Sequence, residues 1–326
     1  MPTSNSGKRP IVITMGDPSG VGPEVALKAL ADRRVRLLTD FLIIGDRSVL
    51  ERSARRLGLK LDLPILDLAN VPPRNFSYGR SSPLFGKASI EYIDKAVELL
   101  QKGRARALVT APINKASVVA AGFAHFQGHT EYLAAKTRTK DAVMMFVGAD
   151  LKITLVTRHI ALKDVPKALS PQAIITTILL THTYLKKYFG IKDPRIGVAG
   201  LNPHAGDGGL FGDEEARVIA PAIRAVSRKL SGVSGPMPPD ALFYELLNKN
   251  YDAAVALYHD QGLIPFKLLY FKTGVNLTLG LPFVRTSPDH GTAFDIAGDF
   301  MADHSSMAEA ILLACKLSKA TGRRKK

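Results

Sequence analysis

Three of the eight histidines end apolar, β-rich runs: His159 follows Leu-Lys-Ile-Thr-Leu-Val-Thr-Arg, His204 follows Arg-Ile-Gly-Val-Ala-Gly-Leu-Asn-Pro, and His259 follows Ala-Ala-Val-Ala-Leu-Tyr. A histidine at the carboxyl end of a buried strand is held over a cleft by a rigid scaffold. Neutral imidazoles from three such ends make a divalent-metal site with open positions, which is what a Lewis acid needs to polarise a substrate oxygen. Their wide separation is not a local chelate spacing. Position alone therefore leaves a second reading open, in which each histidine caps its own loop.

Other strings bear on ligand binding. In Gly128-His129-Thr130-Glu131 an imidazole, a hydroxyl and helix-start N–H groups can hold a phosphate or carboxylate, or Thr130 can serve as an ordinary helix cap. Gly16-Asp17-Pro18-Ser19-Gly20-Val21-Gly22-Pro23-Glu24 has the wrong glycine order for G-x-G-x-x-G, and the chain contains no G-x-x-x-x-G-K-[ST], so neither dinucleotide fingerprint applies. The glycine-rich segment Ala205 to Gly212 precedes Asp213, Glu214 and Glu215, which would repel a pyrophosphate, and is read as a mobile loop carrying His204. Lys267, Asn276 and Arg285 each interrupt an apolar stretch, which favours a specific partner for each. Pro288 to Gly298 reads as a turn leading into a short helix, and Cys315 as a buried helix residue.

The elements that must position these residues alternate in type. Strands are expected at Ile11 to Thr14, Phe41 to Ile44, Ala107 to Thr110, Val143 to Val147, Ile153 to Thr157, Ile196 to Ala199 and Ala253 to Tyr258. Helices are expected at Lys87 to Lys102, where Ile90, Ile93, Val97 and Leu100 recur at helical spacing, and at Asp213 to Lys229. Alternation of this kind gives helices covering a mostly parallel sheet. The Gly/Ser/Pro-rich Ser231 to Pro239 is the best linker-like stretch, and the reading is two α/β lobes with the site in the cleft between them.

Composition narrows the partners. With 326 residues, 44 Lys+Arg against 29 Asp+Glu and a net charge of +15, the chain invites an anionic ligand. Eight of those charges sit on Lys8, Arg9, Lys316, Lys319, Arg323, Arg324, Lys325 and Lys326, and the last four read as a solvated tail without interleaved aromatics. A basic nucleic-acid-binding protein is thereby the weaker alternative. One cysteine excludes internal disulfides and cysteine-rich metal sites, and no apolar run approaches the length of a membrane span, so a cytoplasmic protein without membrane attachment is expected.

Taken in order, several strings resemble the 4-hydroxythreonine-4-phosphate dehydrogenase family of vitamin B6 biosynthesis. They are Ile-Thr-Met-Gly-Asp-Pro-Ser-Gly-Val-Gly-Pro-Glu from Ile13, Thr-Ala-Pro-Ile-Asn-Lys from Thr110, Gly-His-Thr-Glu from Gly128, Leu-Asn-Pro-His-Ala-Gly from Leu201, Tyr-His-Asp-Gln-Gly from Tyr258, and Gly-Val-Asn-Leu-Thr-Leu-Gly-Leu-Pro-Phe-Val-Arg-Thr-Ser from Gly274. The resemblance implies an isocitrate/isopropylmalate-dehydrogenase-like two-domain α/β/α fold with an interdomain cleft. One discontinuous domain would span 1–128 plus 280–326 and the other 129–279.

The same resemblance implies that His159, His204 and His259 ligate one divalent cation, zinc, magnesium or cobalt. It makes His129, Thr130, Lys267, Asn276 and Arg285 the substrate contacts, and Asp289, His290, Gly291 and Thr292 the adenosine side of an NAD or NADP site. Asp240 and Lys267 are the side chains nearest to a catalytic role, with a water relay also open for the alcohol proton. A homodimer would share each site across its interface. The implied reaction oxidises 4-phosphooxy-L-threonine to a 3-keto acid that loses CO2 to give 3-amino-2-oxopropyl phosphate. D-Threonate or D-erythronate 4-phosphate dehydrogenases of the same family are the alternative.

Overall fold

The computed structural model describes residues 9–322, so Lys8 and the basic run Arg323 to Lys326 lie outside the described residues. In chain order the first elements are β1 (Ile11–Thr14), α1 (Gly22–Ala31), α2 (Arg33–Arg36), β2 (Phe41–Gly45), α3 (Arg47–Leu57) and β3 (Ile65–Asp67). Next come α4 (Pro83–Gln101), β4 (Ala107–Thr110), α5 (Lys115–Ala120), α6 (His129–Lys136), β5 (Val143–Val147), β6 (Lys152–Leu155), α7 (Val165–Ala168) and α8 (Pro171–Lys187). The chain continues through β7 (Ile196–Ala199), α9 (Ala220–Ser227), β8 (Val233–Met237), α10 (Pro239–Leu247), β9 (Ala253–Ala256) and α11 (His259–Tyr270). It ends with β10 (Val275–Leu279), β11 (Val284–Pro288) and α12 (Ser305–Gly322). Among the described residues no helix is long and apolar enough to cross a membrane.

Two compact units form. One is the chain up to Lys140 together with the chain from Leu281, and the other is Asp141–Gly280. The first boundary falls twelve residues later than the sequence reading placed it, which moves His129 and Thr130 into the first unit. The reason is local: the Tyr132 hydroxyl and Lys136 Nζ of α6 donate to the two oxygens of Asp94 on α4, at 2.7 and 2.8 Å.

In the first unit the strands run β3-β2-β1-β4-β11, every neighbouring pair parallel. Strands covered on both faces are apolar throughout. Ile11, Ile13, Ile43 and Val109 are fully buried, with Ile90 and Ile93 of α4 and Met307 and Ile311 of α12. Helix α4 starts four residues before the expected Lys87, because Pro83 suits the first turn and Ser82 Oγ caps it by accepting from the Leu84 amide. At the end of β1, Gly16 has φ +76°, and any Cβ there would strike the Ala111–Pro112 backbone. The next residue binds the same segment, the Asp17 amide donating to the Pro112 carbonyl at 2.8 Å while Asp17 Oδ1 accepts from the Ser19 amide at 2.9 Å. The turns after β1 and β4 are thus one locked piece.

In the second unit the order is β10-β5-β6-β9-β7-β8, antiparallel across β10-β5-β6 and parallel from β6 onward. Strand β9 shows the two-residue period of a sheet with two buried faces. Ala253 and Val255 pack with Ile174, Ile178, Ile223 and Val226 of α8 and α9, whereas Ala254 and Ala256 pack with Leu242, Leu246, Leu263 and Phe266 of α10 and α11. The Ser231 to Pro239 stretch expected as a linker contains β8. Its position at the end of the strand order is where a proline such as Pro236 costs least, since one side of the strand makes no ladder bonds.

Asp17 is fully buried, and burial pushes its carboxyl up from 3.8 to about 6 against the amides of Ser19 and Asn114 and the Ser117 hydroxyl, which pull it down. A raised acid holds its proton in the folded protein where the unfolded chain has lost it, so this group removes stability as pH rises through the window from 3.8 to about 6. Asp17→Asn is expected to flatten that limb of a stability profile measured by urea unfolding at stepped pH. An identical slope in the variant would clear Asp17 of any part in it.

Candidate active site

In the first unit, Arg285 on β11 lies beside β4 in parallel register and is 2% exposed. Its Nε and Nη2 both donate to Thr110 Oγ1, the last residue of β4, at 3.1 and 2.6 Å. Burial lowers the guanidinium to about 9, with the charge of Glu131 pulling upward. His129 opens α6, and its Nε2 is buried with no hydrogen-bond partner in the fold. Desolvation first, then the charges of Arg285 and Lys115, hold its pKa well below the usual histidine value, so the ring is neutral at pH 7. A neutral imidazole with a spare nitrogen and a buried guanidinium beside a helix start suit one chemical task, holding an oxyanion.

Thr130 is buried inside the first turn of α6 while Gly128 occupies the cap position without a side-chain bond, so the capping alternative for Thr130 fails. Lys115 was missed as a site residue. It begins α5, which Asn114 caps by accepting from the Ser117 amide at 2.8 Å, and its signal lay in the Thr-Ala-Pro-Ile-Asn-Lys string.

Strand β11 runs directly into Asp289, His290, Gly291 and Thr292. The Asp289 amide donates to Ser306 Oγ at 2.9 Å, His290 Nε2 is buried and unpartnered in the fold, and the space beside the Gly291 Cα is open. These features suit a polar planar group such as an adenosine. The Gly16 to Gly22 string packs under this loop: the Val21 amide donates to the Thr292 carbonyl at 3.0 Å, and a Cβ on Gly20 would meet Thr292 at 2.9 Å. Lys28 Nζ then binds Glu24 Oε1 at 2.6 Å and the carbonyls of Phe300 and Ala302 at 2.8 and 3.0 Å. The expected short helix after Pro288 is absent. Residues 289–300 are bends, irregular backbone and a run of turns over 294–299, because Ala293, Gly298 and Phe300 adopt positive φ and interrupt any helical run.

In the second unit the carboxyl ends of β6, β9 and β7 lie side by side, and the three histidines follow them. His159 and His259 have ring centroids 5.7 Å apart. His259 is the first residue of α11, and its Nδ1 faces Asp260 Oδ1 at 2.7 Å, a carboxylate–histidine pair that leaves Nε2 for a cation. The donor chemistry fits a divalent metal. His204 is placed differently: among the described residues no three His, Cys, Asp or Glu side chains of this chain form a metal-holding group. Its ring lies 6.4 Å from that of Phe211.

The His204 segment is not the loose loop expected. His204, Ala205, Gly206, Asp207 and Gly208 are all left-handed, with φ from +43° to +84°. Each non-glycine residue held there costs on the order of 1–3 kcal/mol, so the surrounding structure must enforce it. Glu215, read from the sequence as a repelling acid, accepts from the Leu201 and Asn202 amides at 2.7 Å each. The expected helix over Asp213 to Lys229 accordingly begins with a π-helical turn, Glu215–Ile219, before α9. Gln261 adds a second tie, donating to the Gly200 carbonyl at the end of β7 and accepting from the Leu257 amide at the end of β9, each at 2.7 Å.

The other expected residues also lie in the second unit. Asn276 sits on β10 opposite Phe146, with its Oδ1 buried and unpartnered in the fold. Lys267 is on α11, its Nζ 5.3 Å from the Phe271 ring centre, and Asp240 is exposed in the first turn of α10.

The chain is similar to known proteins along nearly its whole length. The chain is 47% identical over 97% of its length, and 98% of the relative's, to the 4-hydroxythreonine-4-phosphate dehydrogenase of Desulfosudis oleivorans. It is 41% identical, over 95% of this chain and 98% of the other, to a protein of Oceanobacillus iheyensis named "Putative D-threonate 4-phosphate dehydrogenase". The crystal structure of 4-hydroxythreonine-4-phosphate dehydrogenase from Klebsiella pneumoniae superposes with a TM-score of 0.87 at 39% identity, covering 97% of this chain and 99% of that one. The family model described as pyridoxal phosphate biosynthetic protein PdxA matches residues 36–314, a span that takes in β4, β9, β11 and the residues from His129 to Thr292 described above. By that match and these near end-to-end likenesses, the chain belongs to the PdxA family of dehydrogenases.

Proposed function

We propose that this protein oxidises 4-phosphooxy-L-threonine with NAD or NADP to a 3-keto acid, which loses CO2 to give 3-amino-2-oxopropyl phosphate in pyridoxine 5'-phosphate biosynthesis. The observation that carries the reading is the buried Arg285–His129 site, built for an oxyanion in a chain of the PdxA family. His129 enters neutral, so it contributes a hydrogen bond rather than a charge, and Arg285 and Lys115 supply the positive field. Thr130, Lys267 and Asn276 complete the substrate contacts. His159, His204 and His259 are assigned to one divalent cation (zinc, magnesium or cobalt), with Asp260 fixing the His259 tautomer. When bound, that cation supplies the Lewis acidity that eases loss of the alcohol proton, and the nicotinamide supplies the hydride acceptor. Asp240 or Lys267 takes the proton. His290 and the open space at Gly291 support the Asp289 to Thr292 loop as the adenosine contact.

A homodimer with shared sites is part of this reading. Ile264 and Leu268 of α11, the helix of His259 and Lys267, and Phe271 at its C-cap form an exposed apolar stripe at helical spacing, 68%, 84% and 74% exposed. A second copy covering that stripe would bring its own residues to the histidine edge, in keeping with the absence of a three-ligand group among the described residues of one chain. The place of action is the cytoplasm.

The reading is tested by NADH formation with the two phosphorylated acids. A higher kcat/KM for 4-phosphooxy-L-threonine than for D-threonate 4-phosphate is expected, and the reverse ranking assigns the protein to the activity in the name of the Oceanobacillus relative. Arg285→Lys keeps a charge but loses the fork, and should lower kcat/KM by about 10–100-fold, mainly through KM, as expected for lost charge-assisted bonds. Leu268→Asp should shift the protein to monomers in sedimentation and abolish turnover. An active monomer would remove the shared site.

A further inference from the structure

We propose that Glu215 is a positioning residue: it holds the left-handed turn carrying His204 in the conformation that presents the imidazole to the divalent cation. The inference rests on the reading of His204 as a ligand. Glu215 is 6% exposed, and both of its oxygens are used on the His204 segment. Oε1 takes the Leu201 and Asn202 amides at 2.7 Å each, and Oε2 takes Asn202 Nδ2 at 3.0 Å, the same nitrogen that reaches Glu214 Oε2 at 2.8 Å. Three donors satisfy a buried carboxylate without a cation. Its charge is spent on the backbone two residues before His204.

The glycines of the segment make room for this clamp. A Cβ on Gly206 would lie 2.8 Å from Glu215 Oε2, one on Gly200 would lie 3.2 Å from Glu215 Oε1, and one on Gly212 would run into the Asn202 side-chain amide. Entry into the helix through a π-helical turn, which begins at Glu215 itself, accompanies this inward seat. Gln261 pins the root of the same segment to the end of β9, two residues from His259. The strained residues His204, Ala205 and Asp207 therefore follow, after Pro203, two amides that donate to Glu215. Removing the carboxylate frees those amides and lets the turn relax toward the ordinary right-handed region, which displaces the imidazole.

The test is a titration of the full-length protein with Co2+, read by visible absorption, alongside kcat/KM at limiting and saturating Co2+. Glu215→Ala is expected to weaken Co2+ binding by about 10–100-fold, the range for residues that orient metal ligands, and to lose activity at limiting metal that saturating metal restores. Glu215→Gln should lie between it and the wild type, because its carbonyl still accepts both amides; it decides the matter should the alanine variant not fold. Wild-type Co2+ affinity in a folded Glu215 variant, or lost activity that saturating Co2+ does not recover, overturns the proposal. His204→Ala separates the two layers: if it binds Co2+ like the wild type, the ligand reading itself falls, whereas loss in His204→Ala with none in the Glu215 variants sinks only the positioning role.

Discussion

Parallel pairing of β9 with both β6 and β7 is the constraint on which the second unit depends. Parallel neighbours end on the same side, so residues that follow the three strands emerge along one edge although they lie up to a hundred positions apart in sequence. Nothing in the loops themselves could achieve this. The two buried faces of β9 then fix the sheet between two helical layers, and the small residues Ala253, Ala254 and Ala256 let those layers approach closely. What varies after the strand ends is how tightly each histidine is held: His259 by a helix start and a carboxylate, His204 by a strained turn, His159 by an exposed loop.

The first unit solves a different problem, keeping a guanidinium out of water. Burying Arg285 carries a large desolvation cost, visible in the fall of its pKa to about 9. The same field suppresses protonation of His129, so the two residues are electrostatically coupled. The charge of Glu131 offsets part of the desolvation of the guanidinium, while the buried Nε2 of His129 has no hydrogen-bond partner in the fold.

Much of this was legible in the sequence where one physical signal dominated. Ile11–Thr14, Ala107–Thr110, Val143–Val147 and Ile196–Ala199 are short, apolar and β-branched or bounded by turn residues, and their limits match the structure. Strands β6 and β9 stop two residues before the expected ends, since Thr157 and Tyr258 already belong to the turns that aim the histidines. Strand β8 was hidden by Gly235 and Pro236, which composition reads as linker and an edge tolerates. Glu215 was read by its charge alone; no local pattern says that a carboxylate fourteen residues after Leu201 will fold back onto its amide. His129 and Thr130 were placed in the wrong unit because their tether, Asp94, is distant in sequence.

Helix α11 joins several of these features in a single rotation. His259, Gln261, Lys267 and the stripe of Ile264, Leu268 and Phe271 are fixed relative to one another only by the count of residues between them, about 100° per step. Loops elsewhere in the chain can lengthen at small entropic cost. One residue inserted or lost between positions 259 and 271 would instead turn the apolar stripe by more than a quarter of a circle away from its histidine. An exchange of residue type leaves that angular relation in place, whereas a change in the helix's length does not.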